Sequence, residues 1–449
     1  MTVGNVPEGP RLNVVGVIVD GVRFEDWTDY SISSDLFTPA NRFSMRCGPI
    51  PEKLKEIMLP GHSLSIYFGD GSDGGDVIVI TGWIEGYVDR VSKESESVDI
   101  TGRDLASDLL ENSVPQGTVV KNRALYDIAE ELCDVHAIPV LCTNEANRLA
   151  VADKKKYKKL MGRYGASQET YNGDVAGLMK TFMSGGEKLT PEREKQFQAI
   201  LSSLDVSAPL RPPWVPGIFK NLDEANPQDG ESVWDFLARY AGRMEVHMWM
   251  AAAGMLVMQR PRYDQDPSFV FVENDRDPTL NNVIERTYGL DIAGMATTRT
   301  TTGRVKPEDG GKKVSVESTV ESTKLIPSDV PVEVPATALR VASALSREKW
   351  ILDTEARNLD KLTERNYYAM KAAETGFLQL SLRVSGHDQG GRLYTPDTVC
   401  RFVSDRLGID GLFYIAACEY SLDTKSEDMA GQTTMLTLTP LDAWVPEAS

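Results

Sequence analysis

Residues 76–110, DVIVITGWIEGYVDRVSKESESVDITGRDLASDLL, decide how this chain reads. Ile78, Ile80, Ile84 and Val88 recur at even spacing with Gly82 and Gly86 in the same phase, which predicts a strand with one apolar face. The polar run SKESES turns the chain and Val98-Asp-Ile100-Thr alternates back. Gly102-Arg103-Asp104 then opens a short helix carrying Leu105, Leu109 and Leu110. The unit is a hairpin feeding a helix.

Residues 412–440, LFYIAACEYSLDTKSEDMAGQTTMLTLTP, repeat the hairpin without the helix. Glu85-Gly-Tyr87-Val-Asp89 is echoed by Glu419-Tyr420-Ser-Leu422-Asp423, a charged turn follows, and Met435-Leu-Thr-Leu-Thr439 runs back. Such an echo predicts two copies of a small β-barrel in one chain.

A chain of 449 residues is too long for one core and should divide into about three or four domains. Its 41% hydrophobic and 25% charged residues are those of a folded protein. No run of about 18 apolar residues occurs, and MTVGNVPEGPRLN lacks the apolar core of a signal peptide, so a soluble chain made in the cytoplasm is expected. Cys47, Cys133, Cys142, Cys400 and Cys418 are far apart and form no C-x-x-C, which predicts buried free thiols. The net charge of -18 disfavours nucleic-acid binding, because that affinity comes mainly from neutralising phosphates. It suits a surface that DNA slides past.

In chain order, VVGVIVDGVRF holds Asp20-Gly21, a hairpin dipeptide between two apolar runs. Asp70, Asp73 and Asp76 invite a calcium reading, but their spacing of three and the lack of a distal Glu favour a plain hairpin loop. Residues 1–112 are predicted as a first β-barrel. Asn122 caps a predicted helix striped by Leu125, Ile128, Ala129, Leu132 and Cys133, closed by His136 and followed by a short strand at Ile138–Leu141. Asp229-Gly-Glu-Ser opens a second helix with Val233, Phe236, Leu237, Tyr240 and Ala241 on one face. A hairpin from Met244 to Gln259 completes an α/β module over 113–145 plus 215–281. Residues 146–214 read as a mainly helical, charged insertion with the basic run Asp153–Lys159.

Residues 282–449 are predicted as a second β-barrel. Within it, 305–335 are polar with four prolines and read as a surface excursion or flexible loop. A long helix is expected over 337–375, striped by Val341, Ala342, Leu345, Leu352, Ala356, Leu359, Leu362 and Met370; at ~1.5 Å per residue it would exceed ~50 Å. The fold class expected is α+β multidomain: two small tube-like β-barrels joined by an α/β module and a long helix.

No catalytic constellation stands out. His62, His136, His247 and His387 are the only histidines, and H-E-x-x-H, Walker A, G-x-G-x-x-G after a strand and G-x-S-x-G are all missing. Met183-Ser-Gly-Gly lies in the insertion, and acidic pairs such as Glu130-Glu131 carry little information among 66 carboxylates. No catalytic, cofactor-binding or metal-binding residue is assigned, and no enzyme activity or cofactor is expected.

The order barrel, α/β module, long helix, barrel resembles the baseplate hub of contractile-tailed phages, the Mu-like hub and late-control-D family. The likeness is carried by Val17-Ile-Val-Asp-Gly21, Trp27 with Tyr30-Ser-Ile32, Gly82-Trp-Ile-Glu85, Thr101-Gly-Arg-Asp104-Leu105, Glu231-Ser-Val-Trp-Asp-Phe236, and the hairpin from Phe413-Tyr-Ile415 to Thr433-Thr-Met-Leu436. Residues 146–214 depart from it. The resemblance implies a homotrimer in the virion tail baseplate whose two barrels per subunit make six near-equivalent positions. Such a ring would fit the tail tube or tube initiator on one face and the central spike on the other, beside tape measure and baseplate wedge proteins. DNA would pass its lumen without specific binding. Two other readings remain open at this point: a tail-associated enzyme degrading cell-wall polymer, and the hub of a bacterial contractile injection system.

Overall fold

The computed structural model describes residues 12, 14–69, 76–115, 120–141, 221–242, 246–259, 265–275, 277–291, 298–305, 314–321, 348–353, 378–423 and 431–441. The expected insertion 146–214, Cys142, Asp70 and Asp73 lie outside them. No described helix is long and apolar enough to cross a membrane.

The first β unit holds β1 (Val14–Val19), β2 (Val22–Phe24), β3 (Trp27–Asp35), β4 (Arg42–Cys47), α1 (Glu52–Ile57), β5 (Ser63–Gly69), β6 (Val77–Val91), β7 (Glu96–Asp104) and α2 (Ala106–Glu111). Its strands run in the order β2-β1-β5-β6-β7-β4-β3, all antiparallel. Asp20 and Gly21 take φ of 50° and 79°, the left-handed pair that a two-residue hairpin turn requires.

The period-2 phase of the opening stretch does not hold along all of β6. Register shifts opposite Ile66/Tyr67 and at Ile84/Gly86 mark bulges at Val79 and Glu85. Each bulge turns the following side chains over. Ile78 therefore packs with Tyr67, Val79, Ile80 and Ile84 enter the main core, and beyond Glu85 it is Tyr87 that faces the core while Val88 is exposed.

A second layer follows with β8 (Val120–Ala124), α3 (Leu125–Asp134), β9 (Val140–Leu141), β10 (Asn221–Ala225), α4 (Val233–Gly242), β11 (His247–Ala251) and β12 (Met255–Gln259). β8 pairs with β10, and β11, β12 and β9 make a small sheet in which β12 and β9 are parallel. The stripes of α3 and α4 share one core with Met248, Met250, Leu256 and Met258. Ser232 caps α4, accepting the Asp235 N–H at 3.0 Å. Asn122 is not a cap: it sits inside β8 with φ 54°, and Ala124 precedes α3 without a side-chain bond.

The rest of the chain gives β13 (Phe269–Glu273), β14 (Val283–Leu290), β15 (Thr298–Val305), β16 (Val314–Glu321), β17 (Glu348–Asp353), β18 (Leu378–Ser385), β19 (Asp388–Gln389), β20 (Arg392–Leu393), β21 (Thr398–Ser404), β22 (Ile409–Asp423) and β23 (Gly431–Pro440). β15, β16 and β17 form a separate sheet, so part of the excursion expected over 305–335 is an ordered strand. The helix expected over 337–375 is not continuous. Leu352, assigned to its stripe, lies in β17 opposite Thr302 of the parallel strand β15. The near-3.5-residue apolar stripe crosses Trp350-Ile351-Leu352, a run that suits a strand once a partner lies beside it. The remaining residues of that helix are outside the described ones.

The architecture is mostly β. Nor are the two β units bridged only through the α/β module: β3 pairs with β22, and thirteen strands form a single sheet, β14-β18-β23-β22-β3-β4-β7-β6-β5-β1-β2, with β21 also on β22 and β13 on β21. One apolar core runs through both units, from Val17 and Ile66 to Leu382 and Leu438. β13, placed by its sequence in the α/β module, belongs to this sheet.

Candidate functional site at the junction of the two β units

Strand order relates the two units element by element. β1-β5-β6-β7-β4-β3 in the first corresponds to β13-β21-β22-β23-β18-β14 in the second, although β13 pairs parallel with β21 where β1 pairs antiparallel with β5. The bulges coincide. β6 shifts register between Ile84 and Gly86 against β7, and β22 between Ile415 and Ala417 against β23. β3 shifts between Trp27 and Asp29 against β4, and β14 between Val283 and Glu285 against β18. A bulge fixes register, because each one turns over the side chains beyond it. Gly86 therefore corresponds to Ala417 and Asp29 to Glu285. This corrects the sequence echo, which set Glu85 against Glu419.

The units meet where β22 passes its bulge. Ile409–Ile415 pairs with β21, and Ala417–Asp423 pairs with β3 from Asp35 to Asp29. The seam is closed on its inner side by His387, fully buried, whose ring stacks on Phe68 at 4.6 Å and meets Tyr420 edge-on at 5.5 Å. The Thr434 hydroxyl donates to the Gly386 carbonyl at 2.7 Å, so it accepts from His387 Nδ1 at 2.9 Å. His387 Nε2 is then left to accept the Tyr30 hydroxyl at 2.7 Å. One neutral tautomer satisfies all three groups. Burial pushes the His387 pKa down to about 3, in keeping with a ring that stays neutral. Tyr420 donates to the Tyr394 carbonyl, and Asp388 accepts the Leu12 N–H at 2.7 Å.

The outer side of the seam is a shallow polar hollow of about 570 Å³. Arg42, Arg103, Glu85 and Glu419 line it, Arg103 pairing with Glu85 at 2.8 Å and Ser31 donating to Glu419 at 3.0 Å. Acidic excess is not concentrated on this face: Arg46 and Arg90 both pair with Asp99, and Arg103 with Glu85 and Glu111.

Chemistry elsewhere is structural in its geometry. Asp104, 2% exposed, accepts the N–H groups of Asn41 and Ala106, each at 3.0 Å, and burial raises its pKa to about 7. It ties the β3–β4 loop to α2. His62 pairs with Asp20 at 2.9 Å and Asp76 with Arg23 at 2.8 Å. His247 lies edge-on to Phe37, and burial lowers its pKa to about 4. Glu131 bonds Arg123. Cys47, Cys133, Cys400 and Cys418 are buried free thiols, and burial raises their pKa values. Among the described residues no three His, Cys, Asp or Glu side chains are grouped to hold a metal. Sequence reasoning missed His387, and no local signal marks it, since its partners are 357 and 47 positions away.

Residues 14–104 match the family model of the Mu phage baseplate assembly protein GpP-like, N-terminal domain. The chain is related to the Mu-like phage baseplate hubs. It is 24% identical over 234 residues to baseplate hub protein gp44 of Escherichia phage Mu, covering 49% of this chain and 58% of that hub protein. The chain thus spans less than two thirds of that relative. Its fold is that of a tail protein from Neisseria meningitidis MC58, with a TM-score of 0.65 at 20% identity over 97% of this chain and 98% of the other. A 43 kDa tail protein of prophage MuSo2 from Shewanella oneidensis gives 0.62 at 15% identity, covering 96% and 99%.

Proposed function

We propose that this chain is a structural, non-enzymatic baseplate hub at the tip of a phage tail, acting as a homotrimer. The observation that carries the reading is the pair of β units with corresponding strands and coincident bulges, joined edge to edge. Three chains with two such units each present six similar positions, which lets one ring meet a sixfold tube and a threefold spike. The units are a first β unit over 1–112, an α/β module over 113–145 with 215–281, and a second β unit over 282–449, with β13 lent to the second. The tail tube or its initiator and the central spike are its partners. A chain of net charge -18 repels the DNA that passes through such a ring, so transit needs no specific contact.

Mass measurement in solution, alone and beside tube and spike proteins, tests this. A species of three times 49.5 kDa is the expected result. A chain that stays single in all of those settings overturns the reading.

A further inference from the structure

The polar hollow on the outer side of the seam, about 570 Å³, falls within the ~300–1,000 Å³ of ordinary ligand sites. Register explains its shape. Ser421, Ser31, Ser44 and Thr101 stand opposite one another on β22, β3, β4 and β7, so a row of small hydroxylic side chains crosses four strands on one face. At the usual strand spacing of ~4.8 Å the row is about 14 Å long, the span of about four residues of extended chain. Beside it runs a second row on the same strands, Glu419, Ser33, Arg42 and Arg103, which carries the charges.

Those charges are unequally satisfied. Arg42 stands directly opposite Arg103, a like-charge pair of the kind that weakens a ladder. Arg103 is neutralised twice, by Glu85 at 2.8 Å and by Glu111 at 2.9 Å. Arg42 is not: among the described residues its guanidinium has neither an ion pair nor a hydrogen bond, and only its backbone is held, by the Ser33 hydroxyl. The hydroxyls of Ser44 and Thr101 have no hydrogen-bond partner among the described residues either. Both carboxylates of the hollow are engaged, Glu85 by Arg103 and Glu419 by the Ser31 hydroxyl. What the hollow leaves open is therefore a set of donors around one uncompensated positive charge.

We propose that this hollow binds a carboxylate-bearing peptide segment of a partner protein, whose Asp or Glu side chain is held by the Arg42 guanidinium and the Ser44 and Thr101 hydroxyls. The site goes beyond the hub reading and does not depend on the number of copies. A guanidinium offers paired N–H donors that match the two oxygens of a carboxylate. One carboxylate balances the one arginine left without a counter-ion, whereas a nucleic-acid strand would bring many charges against a chain of -18. The second unit lacks the arrangement. Arg42 corresponds there to Gln379, Arg103 to Thr439 and Glu85 to Ala416, and Ala416 is buried against Trp249 and Val257 of the α/β module. Of the two units, only the first carries the charged hollow.

The test is fluorescence anisotropy of a labelled oligoglutamate peptide titrated with the full chain, with oligoglutamine and a single-stranded oligodeoxynucleotide of equal charge as competitors. The oligoglutamate should bind, and neither competitor should displace it. Arg42→Gln, which installs the second unit's residue at an exposed position, should weaken binding about tenfold or more, as loss of a charge-assisted hydrogen bond does. Ser44→Ala with Thr101→Ala should weaken it a few-fold and reads the site without touching a charge. Arg383→Gln removes the same charge from the same face outside the hollow and should bind as the parent does. A parent that does not bind, binding untouched by Arg42→Gln, an equal loss in Arg383→Gln, or displacement by the oligodeoxynucleotide each overturns the site. A chain that binds through Arg42 yet stays single by mass upholds the site and overturns the hub reading alone.

Discussion

The two β units build one ladder from different residues, and the exchange is sharpest where Gly82 and Gly102 correspond to Phe413 and Leu438. In the first unit the backbones of β6 and β7 press together: a Cβ on Gly82 would meet the Arg103 carbonyl oxygen at 2.0 Å, and one on Gly102 the Trp83 carbonyl at 2.0 Å. The ring of Phe43 on β4 covers Gly102. In the second unit Leu380 stands at the position of Phe43 and Leu438 at that of Gly102, both fully buried. A large side chain over none is replaced by two of middle size. At that pair the summed volume is roughly kept, as a close-packed interior favours, whereas the buried Phe413 in place of Gly82 adds volume to the second unit.

That difference gives the largest expected effect. Gly102→Leu, which installs the second unit's side chain in the first, should cost ~3 kcal/mol or more, the top of the range for overpacking. Adding Phe43→Leu should recover only part of it, since the Trp83 carbonyl does not move. Leu438→Ala in the second unit should cost ~2–5 kcal/mol through the cavity it leaves. Urea unfolding of the four proteins decides it, and a Gly102→Leu protein as stable as its parent would deny the correspondence.

The seam comes next. His387→Leu removes the acceptor of the Tyr30 hydroxyl and the N–H that Thr434 accepts, while Thr434 keeps its bond to the Gly386 carbonyl, and should cost ~1–3 kcal/mol. Tyr30→Phe removes one bond across the two units and should cost ~1 kcal/mol. Loss of stability in a single transition would mean that the units unfold together, as one core predicts. Two transitions would restore the picture of separate barrels.

pH gives a related and smaller signal. Unfolded, His387 takes up a proton near its ordinary value of 6.5, whereas buried it resists protonation until about pH 3. Below 6.5 the unfolded chain therefore binds the extra proton, and stability falls as pH drops through that window. Between pH 6.5 and pH 4, His387→Leu should show a shallower loss than the parent in parallel urea titrations. An unchanged slope would mean that the ring is not held neutral.

The smallest effect is on the surface. Arg383 pairs with Glu285 at 3.3 Å where Arg46, its counterpart in β4, is held by the 8%-exposed Asp99 that also binds Arg90. Arg383→Ala should cost ~0.5 kcal/mol or less, as exposed pairs do. Asp99→Ala should cost more, because it leaves two arginines facing each other; equal costs would erase this distinction between the units.

Much of the local structure could be read from the chain. Asp20-Gly21 set a hairpin turn, the stripes of α3 and α4 marked helices of the right face, and Ser232 marked the start of α4. Local signals do not mark a strand whose partner is distant. Trp350-Ile351-Leu352 has no turn signals around it, and only β15 makes it a strand. The echo of Glu85 in Glu419 was real in kind but three residues off, because bulges at Glu85 and Ala416 shift register without leaving a residue signature.

The sequence by itself pointed to two β units around an α/β module, a repeated hairpin, and a likeness to Mu-like baseplate hubs, since alternation, turn residues and short motifs are local properties, whereas the α+β class with its long helix gave way to a mostly β architecture. Only the tertiary structure decided that the repeat is joined through β3 and β22 around a buried histidine. That seam joins residues hundreds of positions apart, and which of them share an edge depends on register, a property of pairs of strands that neither strand encodes alone.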